Sequence, residues 1–168
     1  MKKILVSVFL LIIVLCLTSC ANKEIDFKVS YDNMAAFGHK KIDDKYYIFN
    51  NAYITSQEQL IALCDEWNNK SFDKNNEYYY SEEEILIRSY DDEYFELNNL
   101  IIIEFETAQG IYTKIKNINI EEHKIIVNIK QKQKNGIWTT EAFRWLMIVE
   151  VSKGNTNGVT ELVVNIKK

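Results

Sequence analysis

The second half of this chain is patterned almost throughout for β-strands. The run from Leu100 to Phe105 is apolar at five of its six positions, which is typical of a strand buried on both faces. The stretches from Ile111 to Ile120 and from Lys124 to Gln133 alternate apolar and polar residues, which predicts strands with one buried face. Two further strands are predicted from Phe143 to Val151 and from Val159 to Ile166. A chain with this second half has to build a sheet or a sandwich.

Turn signals separate these strands. Gly110 marks one turn, Glu121 to His123 forms the next, and Asn135-Gly136 is typical of a tight hairpin. Short connections of this kind predict antiparallel pairing. In the strand after Gly110 the apolar parity flips between Ile115 and Ile118, and we expect a bulge or a bend there.

The first half of the chain mixes strands with polar segments. The alternation from Ile25 to Val29 and the run from Tyr46 to Phe49 predict two strands. Between them lies a predicted polar loop that contains Gly38, His39 and the Asp43-Asp44 pair.

Two helices are predicted before the main run of strands. The first extends from about Gln57 to Asn69, because apolar residues recur there at helical spacing after a capping box offered by either Thr55 or Ser56. The second begins after Ser81, with three glutamates in its first turn, and ends near Tyr90. The predicted fold is therefore α+β, with an antiparallel sheet or sandwich of about six to seven strands and two helices inserted near the N-terminal half.

The start of the chain is patterned for export. Lys2 and Lys3 precede an apolar run from Ile4 to Leu17, which is short for a membrane-spanning helix. The run ends in Leu17-Thr18-Ser19-Cys20, which resembles a lipobox, the motif at which bacterial lipoproteins are acylated on the cysteine and cleaved before it. A thiolate is the nucleophile that takes the lipid.

This pattern predicts a signal peptide over residues 1–19, a lipidated Cys20 with a short tether to residue 24, and one globular domain over residues 25–168. Such a protein lies in the cell envelope, faces outward and is lipid-anchored to the membrane. The alternatives are an ordinary signal peptide with an incidental cysteine and an uncleaved anchor.

Maturation at Cys20 changes both the thiols and the charge. Cys16 leaves with the leader, so Cys64 is the one free thiol and no intramolecular disulfide is expected. Cys64 falls on the apolar face of the first helix, where we expect a buried, inert thiol. Loss of Lys2 and Lys3 lowers Lys plus Arg from 20 to 18 against 24 Asp plus Glu, so the formal net charge moves from -4 to -6. This acidic charge predicts neither polybasic adhesion to a membrane nor nucleic-acid binding.

Four features between residues 54 and 153 fit one known family. They are Ile54-Thr55-Ser56 before a helix, Tyr90-Asp91-Asp92-Glu93-Tyr94-Phe95 before the Leu100 strand, Gly110-Ile111-Tyr112, and Ile148-Val149-Glu150-Val151-Ser152-Lys153. This stretch resembles the PrcB C-terminal-like domain family, small lipoprotein domains named after an accessory subunit of a spirochaete surface protease complex. The resemblance implies a protein partner, with a surface protease as a candidate, and partner contact at Gly110 and Tyr112.

The chain has none of the motifs that common enzyme sites use. Its two histidines, His39 and His123, lie in separate predicted loops without a His-Glu-x-x-His, Cys-x-x-Cys or nucleophile-elbow context. The sequence also has no glycine-rich phosphate loop. We therefore expect two surface histidines and a non-enzymatic protein without a cofactor.

The densest charge lies between Glu58 and Glu106, where 14 Asp plus Glu accompany three Lys plus Arg. Part of this segment follows the spacing of an EF-hand calcium loop, with oxygen-bearing side chains in the frame of positions 1, 3, 5, 9 and 12. These residues are Asp73, Asn75, Glu77, Ser81 and Glu84. Because Tyr78 stands at position 6, where the sharp turn requires glycine, a solvated acidic loop is favoured and calcium is the weaker alternative.

Three consecutive tyrosines, Tyr78, Tyr79 and Tyr80, lie in the same region. Aromatic rings with polar tips suit a protein or glycan contact surface, and we expect at least one of the three to be exposed. The expected function is that of a membrane-tethered, non-enzymatic binding or accessory domain whose partner is another envelope or surface protein. The alternatives are a lipoprotein that binds a small ligand, carbohydrate or calcium, and a purely structural envelope component.

Overall fold

The structure is a computed structural model that describes residues 23–136 and 141–167. The predicted signal peptide and the lipobox from Leu17 to Cys20 lie outside these residues. Within them the chain forms ten strands, three α-helices and one 3₁₀ turn, in the order β1 (Lys23–Ile25), β2 (Phe27–Met34), β3 (His39–Ile42), β4 (Lys45–Ile48), β5 (Asn51–Ile54), α1 (Gln57–Glu66), α2 (Glu82–Arg88), α3 (Asp92–Leu97), β6 (Asn98–Ala108), β7 (Ile111–Glu121), β8 (Lys124–Gln133), β9 (Ala142–Ser152), the 3₁₀ turn (Lys153–Asn155) and β10 (Glu161–Lys167).

The strands form two four-stranded sheets and a separate hairpin. Sheet I has the order β1-β7-β8-β10, sheet II has the order β2-β9-β6-β5, and β3 pairs with β4 alone. Among the described residues all pairings are antiparallel except that of β8 with β10. The predicted α+β sandwich is confirmed, with more strands than the sequence indicated and with a third helix.

The two sheets pack face to face around an apolar interior. Side chains of alternate residues point inward from both sheets, as is usual for a β-sandwich. The fully buried ones include Ile118, Ile125, Val127 and Ile129 from sheet I, and Ile101, Ile103, Met147 and Val149 from sheet II.

A second core lies on the other face of sheet II, beneath the helices. It joins alternate residues of β6 and β9 to the buried faces of the three helices; its members include Leu100, Ile102, Leu146, Ile148, Leu60, Cys64, Ile87 and Phe95. Strand β6 is therefore buried on both faces, as its continuous apolar run predicts. The protein has three layers, in the order sheet I, sheet II and helices.

Helix α1 begins where its capping signal predicts. Ser56 Oγ accepts a hydrogen bond from the Gln59 N–H at 3.2 Å, and Gln59 Oε1 accepts one from the Thr55 N–H at 2.8 Å. Helix α2 also begins at its predicted place, whereas α3 was not predicted. The N-cap of α3 is Asp91, whose Oδ1 accepts a hydrogen bond from the Tyr94 N–H at 2.9 Å. Within residues 23–136 and 141–167, no helix is both long and apolar enough to span a membrane.

Several connections test the predicted strand pairing. The expected irregularity between Ile115 and Ile118 is confirmed, because the register of β7 against β8 shifts between Ile115 and Asn117. The hairpin predicted at Asn135-Gly136 is wrong, since β8 belongs to sheet I and β9 to sheet II. The last strand is present, but it pairs in parallel with β8. The connections before and after β9 both join strands of different sheets. A short connection therefore does not by itself imply a hairpin.

The strand predicted from Ile25 to Val29 is divided between the two sheets. β1 pairs with β7 in sheet I, and β2 pairs with β9 in sheet II. The chain therefore crosses from one sheet to the other at Asp26. This crossing places the start of the described chain on an edge strand of sheet I.

Candidate partner-binding site

The hairpin β3–β4 belongs to neither large sheet and exposes apolar side chains. Every residue of β4 is exposed, whereas a strand with one buried face alternates between buried and exposed residues. Because successive side chains point to opposite sides of a strand, both faces of the hairpin meet solvent. Its exposed apolar residues, with their exposed fractions, are Ile42 (47%), Tyr46 (69%), Tyr47 (46%) and Ile48 (48%).

A two-residue turn closes this hairpin. Asp43 and Asp44 have φ angles of 48° and 60°, and a type I′ turn requires positive φ at both central residues. Lys41 Nζ lies 2.7 Å from Asp44 Oδ1, so the tip is charged. The prediction of a polar loop is therefore wrong for His39–Ile42, which form a strand. Sequence reasoning missed it because Asp-Asp is a weaker hairpin signal than Asn-Gly or Asp-Gly.

Buried polar contacts from sheet II hold the base of the hairpin. The buried Glu104 of β6 accepts a hydrogen bond from the Phe37 N–H at 2.7 Å. The same carboxylate accepts a hydrogen bond from Arg144 Nε of β9, and Arg144 Nη2 donates to the Gly38 carbonyl oxygen at 2.6 Å. Sheet II thus fixes the residues that lead into β3.

The end of α1 holds the same segment from the other side. The His39 N–H donates to the Trp67 carbonyl oxygen at 2.8 Å, and Asn69 Nδ2 donates to the Phe37 carbonyl oxygen at 2.6 Å. Gly38 lies so close that a Cβ atom at this position would be 2.3 Å from the Trp67 carbonyl oxygen. The hairpin therefore has a rigid base and a solvent-exposed body.

The charge at this base depends on its partners. Burial raises the pKa of the Glu104 carboxyl, and the hydrogen bonds from Arg144 and from the Phe37 N–H oppose that rise. A buried carboxylate is stable only when paired and hydrogen-bonded. The pair links β6 to β9 and both strands to the hairpin. A contact surface ordered in this way loses little conformational entropy on binding.

The three consecutive tyrosines lie in the loop between α1 and α2. Tyr78 and Tyr80 are 63% and 82% exposed, which confirms that at least one of the three is exposed. Tyr79 is more buried, with the Arg88 guanidinium carbon 3.6 Å from its ring centroid. Among the described residues no ring contact joins these tyrosines to the hairpin.

Gly110 and Tyr112 lie at one end of the sandwich. Gly110 has a φ of 79°, and its turn takes the chain from β6 in sheet II to β7 in sheet I. The Lys134 N–H donates to the Gly110 carbonyl oxygen at 2.7 Å. Tyr112 is exposed on β7, opposite Lys132. Tyr112 is therefore on sheet I, whereas the base of the hairpin is held by β6 and β9 of sheet II.

A cleft of ≈ 460 Å³ lies at this same end of the sandwich. Thr107 is 9% exposed, and its hydroxyl has no hydrogen-bond partner within the part of the chain that the structure describes. The buried hydroxyl of Thr113 on β7 also has no hydrogen-bond partner among the described residues. The sandwich interior is polar here; the cleft is lined by Glu106, Thr107, Ala108, Ile111, Gln131, Gln133 and Ala142.

The EF-hand-like frame folds as a series of turns. Asp73 Oδ1 accepts a hydrogen bond from the Asn75 N–H at 2.9 Å, while Asn76 Nδ2 donates to both carboxylate oxygens of Glu84 at 2.8 and 2.9 Å. Burial is the main cause of the raised pKa of Glu84, and Glu77 is exposed. Within residues 23–136 and 141–167, no three His, Cys, Asp or Glu side chains form a group suited to a metal ion.

The histidines and the free thiol lie on separate elements. His39 is in β3, and His123 is in the turn between β7 and β8, where Nε2 lies 3.7 Å from a carboxylate oxygen of Glu161. Both histidines are exposed, as expected. The expected burial of Cys64 is confirmed, and burial raises the pKa of its thiol to about 12.

Comparison with known proteins adds no relative. No family model, curated protein or solved structure matches the chain. The resemblance to the PrcB C-terminal-like family therefore stays a prediction from the motifs quoted above. The hairpin is a candidate binding site because of its geometry. The sequence indicates it only by the apolar residues that stand among charged ones between Lys40 and Ile48.

Proposed function

We propose that this chain is an outward-facing lipoprotein of the cell envelope that binds another envelope or surface protein and catalyses no reaction. The exposed apolar hairpin β3–β4 on its fixed base is the observation that carries the proposal. The lipobox at Leu17 to Cys20 supports the membrane tether. The family resemblance suggests the further hypothesis that this partner is a surface protease.

The hairpin is suited to contact rather than to core packing. A two-stranded hairpin alone is marginally stable in water, so this one depends on the contacts that Phe37 and Gly38 make at its base. Tyr46 and Tyr47 present apolar rings with polar hydroxyl groups, and tyrosine is enriched in the cores of protein interfaces. Burying these rings in a partner would remove apolar area from water without reordering the hairpin.

The test places a photo-crosslinking amino acid at Tyr47 of the full chain and irradiates intact cells. We expect a discrete protein adduct there and none from the exposed control position Asn157. Probes at Tyr80 and Tyr112 test the other exposed tyrosines. An adduct at either of these positions but not at Tyr47 would move the interface away from the hairpin, and no adduct at any position would contradict the proposal.

A double substitution, Tyr46→Ser with Tyr47→Ser, separates binding from folding. Because both side chains are exposed, the free energy of unfolding should change by no more than about 0.5 kcal/mol for each substitution. A crosslink from a probe at Ile48 should be lost. Urea unfolding and crosslinking of the same variant measure the two effects.

The membrane tether has an independent test. Mass spectrometry of the native protein should find an acylated N-terminal Cys20, and Cys20→Ser should abolish the modification. An intact Met1, or an unmodified Cys20, would contradict the tether without affecting the hairpin assay.

Carbohydrate binding is a second candidate function, favoured by the cleft beside Gly110. The buried Thr107 hydroxyl has no partner among the described residues and lies beside Gln131 and Gln133, so this cleft offers the hydrogen bonds that a sugar hydroxyl requires. Envelope oligosaccharides should then raise the melting temperature, and Thr107→Val, which keeps the shape and removes the hydroxyl, should abolish the shift. No shift with any oligosaccharide would exclude this candidate.

A further inference from the structure

Sheet I carries a row of lysines on its outer face. The cross-strand register places Lys114 of β7, Lys130 of β8 and Lys167 of β10 side by side. Lys116 and Lys132 lie next to this row on β7 and β8. All five side chains are exposed. We call these five residues the lysine row.

The lysine row is not neutralised by neighbouring carboxylates. Like charges directly opposite one another destabilise a strand pair, yet none of the five forms a salt bridge within the described part of the chain. Lysines elsewhere on the protein do form such pairs: Lys28 with Glu150, Lys40 with Glu66, Lys41 with Asp44, and Lys124 with Glu161. Lys45, Lys70 and Lys74 also form no salt bridge within residues 23–136 and 141–167, but they lie outside sheet I. The lysine row therefore gathers five unpaired positive charges on one face of that sheet.

Asparagines, which carry no charge, form the next row on the same face. Asn128 Nδ2 donates to Asn117 Oδ1 at 3.0 Å, and Asn165 Nδ2 donates to Asn128 Oδ1 at 3.2 Å. A shallow depression of ≈ 560 Å³ lies between the two rows, lined by Lys114, Lys116, Asn117, Asn128, Ile129, Lys130 and Lys167. Ammonium and amide donors in such a depression suit phosphate oxygens.

The opposite layer of the molecule is acidic. Residues 57–97, which contain the three helices, carry 12 Asp plus Glu against three Lys plus Arg. Strands β7, β8 and β10 carry six lysines against two glutamates. Because sheet II lies between these layers, the positive and negative charges are on opposite faces of the protein. The net charge of the chain does not describe either face.

We propose that the outer face of sheet I docks on the anionic phospholipid headgroups of the membrane to which the chain is tethered. The proposal rests on the proposed lipid anchor at Cys20. The acidic helical layer then faces away from the bilayer. The proposal differs from the expectation of no polybasic adhesion, because that expectation summed charges that the fold separates.

The position of the anchor is consistent with this orientation. The described chain begins at Lys23 on β1, an edge strand of sheet I. The three residue steps from Cys20 to Lys23 extend at most about 11 Å, so this end of sheet I stays near the bilayer. Lys23 pairs with Ile120, and Lys114 lies further along β7 by about 20 Å. The anchor and the lysine row therefore contact the membrane at two separated places.

Electrostatic attraction here sets orientation rather than attachment. The attraction between a lysine and an anionic leaflet is modest and falls off within a Debye length. A tethered domain is already within that distance, so several lysines acting together suffice to select one face. The same argument predicts that high salt releases the face while the anchor stays in the bilayer.

The test measures lysine acetylation on the full chain held in vesicles. One set of vesicles is phosphatidylcholine alone, and the other contains about one third phosphatidylglycerol. We expect acetylation of Lys114, Lys130 and Lys167 to be at least about fivefold slower on the anionic vesicles, with equal rates for the exposed Lys74 on both. Salt at about 1 M, where the Debye length is about 3 Å, should remove the protection. Peptide mass spectrometry gives the rate at each lysine.

Equal rates on the two vesicle types, or equal protection of Lys74, would overturn the proposal. Protection by soluble heparin without protection by anionic vesicles would also overturn it, and would indicate a soluble polyanion as the ligand. Either an acyl chain on Cys20 or an uncleaved leader holds the chain on both vesicles. The mass of the N-terminal peptide distinguishes these cases, so failure of docking is separable from failure of the anchor.

Matched variants test which charges are responsible. Replacing Lys114, Lys130 and Lys167 by glutamine should remove the protection of the remaining Lys116 and Lys132. The control replaces Lys45, Lys70 and Lys74, which are exposed outside sheet I, and should leave the protection unchanged. If the triple variant does not fold, the single variant Lys130→Gln replaces it in the test. We expect this single variant to lose part of the protection. Equal behaviour of the row and control variants would contradict a role of the lysine row.

Discussion

Gly38 lies where the chain leaves the core and enters the exposed hairpin. Its carbonyl oxygen accepts a hydrogen bond from Arg144, and its Cα faces the end of α1 so closely that no side chain fits. In the sequence it is one of five glycines and falls in a predicted polar loop. Nothing in the local pattern distinguishes it, because the atom that excludes a side chain belongs to Trp67.

Gly38→Ala should lower the free energy of unfolding by about 1–3 kcal/mol, since the added Cβ would meet the Trp67 carbonyl oxygen at 2.3 Å. Gly154→Ala is the matched control, because the nearest atom to its added Cβ is Ser152 Oγ at 3.8 Å. Urea unfolding followed by tryptophan fluorescence measures both. Equal effects of the two substitutions would contradict the close approach at Gly38.

Cys64 shows how burial controls reactivity at a single residue. Desolvation is the largest cause of the raised pKa of its thiol, followed by the negative charges of Asp65 and Glu84. The thiolate is the reactive form, so a thiol with a pKa of about 12 reacts slowly at neutral pH.

At pH 8 only about one part in ten thousand of such a thiol is ionised, and the folded protein also shields it. Iodoacetamide should therefore label Cys64 of the folded chain far more slowly than of the chain unfolded in urea. Peptide mass spectrometry measures the two rates. Rapid labelling in the folded state would show that α1 opens readily from sheet II.

The exposed hairpin shows how elements depend on one another. Strand β6 supplies Glu104 and strand β9 supplies Arg144, and together they hold the segment that leads into β3. The sequence predicts that Glu104 lies in a strand buried on both faces, but it does not identify the side chain that pairs with this carboxylate. A buried carboxylate in an apolar strand is itself a sign of an unseen cation or donor.

Arg144→Met should cost about 3 kcal/mol at neutral pH, because it leaves the Glu104 carboxylate buried without its cation. Burial already raises the pKa of Glu104, and loss of Arg144 raises it further. A carboxyl whose pKa is higher in the folded than in the unfolded state stabilises the fold at low pH, and that contribution is lost as the pH rises through the folded-state pKa. The loss of stability caused by Arg144→Met should therefore be smaller at about pH 5 than at neutral pH.

The control for this pH dependence is Lys41→Gln, which removes an exposed ion pair with Asp44. Exposed pairs contribute at most about 1 kcal/mol, so this change should be small at both pH values. Urea unfolding at each pH gives the two stability differences. An Arg144→Met loss of stability that did not depend on pH would show that Arg144 does not change the ionisation of Glu104 between these pH values.

At the scale of the whole molecule, the chain crosses repeatedly between the two sheets. The turn at Gly110, the segment after β8, and the connection after β9 each join strands of different sheets. The last crossing brings β10 beside β8 in parallel, where Leu162 and Val164 pack against the interior between the sheets. β10 therefore covers one edge of sheet I.

Ending the chain after Gly158 should destabilise the protein by about 3 kcal/mol or more, because it removes Leu162 and Val164 from the core. It also exposes the edge of β8, and an uncovered edge strand promotes aggregation. Ending the chain after Ile166 keeps these contacts and is the control. Thermal unfolding and sedimentation measure stability and aggregation, and a soluble, equally stable short variant would contradict a structural role for β10.

The sequence by itself determined the features that depend on neighbouring residues. The capping of α1 involves residues three or four apart, and strands β7 and β8 of sheet I follow from alternation along each strand. The double burial of β6 follows from its unbroken apolar run. Periodicity and short-range hydrogen bonds are local, so the order of residues is enough to predict them.

Only the tertiary structure decided which sheet each strand joins, that β8 and β10 run parallel, and that the hairpin β3–β4 stays exposed. It also separated the lysine row from the acidic helical layer, although the chain as a whole is acidic. These features arise from contacts between residues far apart in the chain. No local pattern records such contacts, because they exist only once the strands and helices have packed.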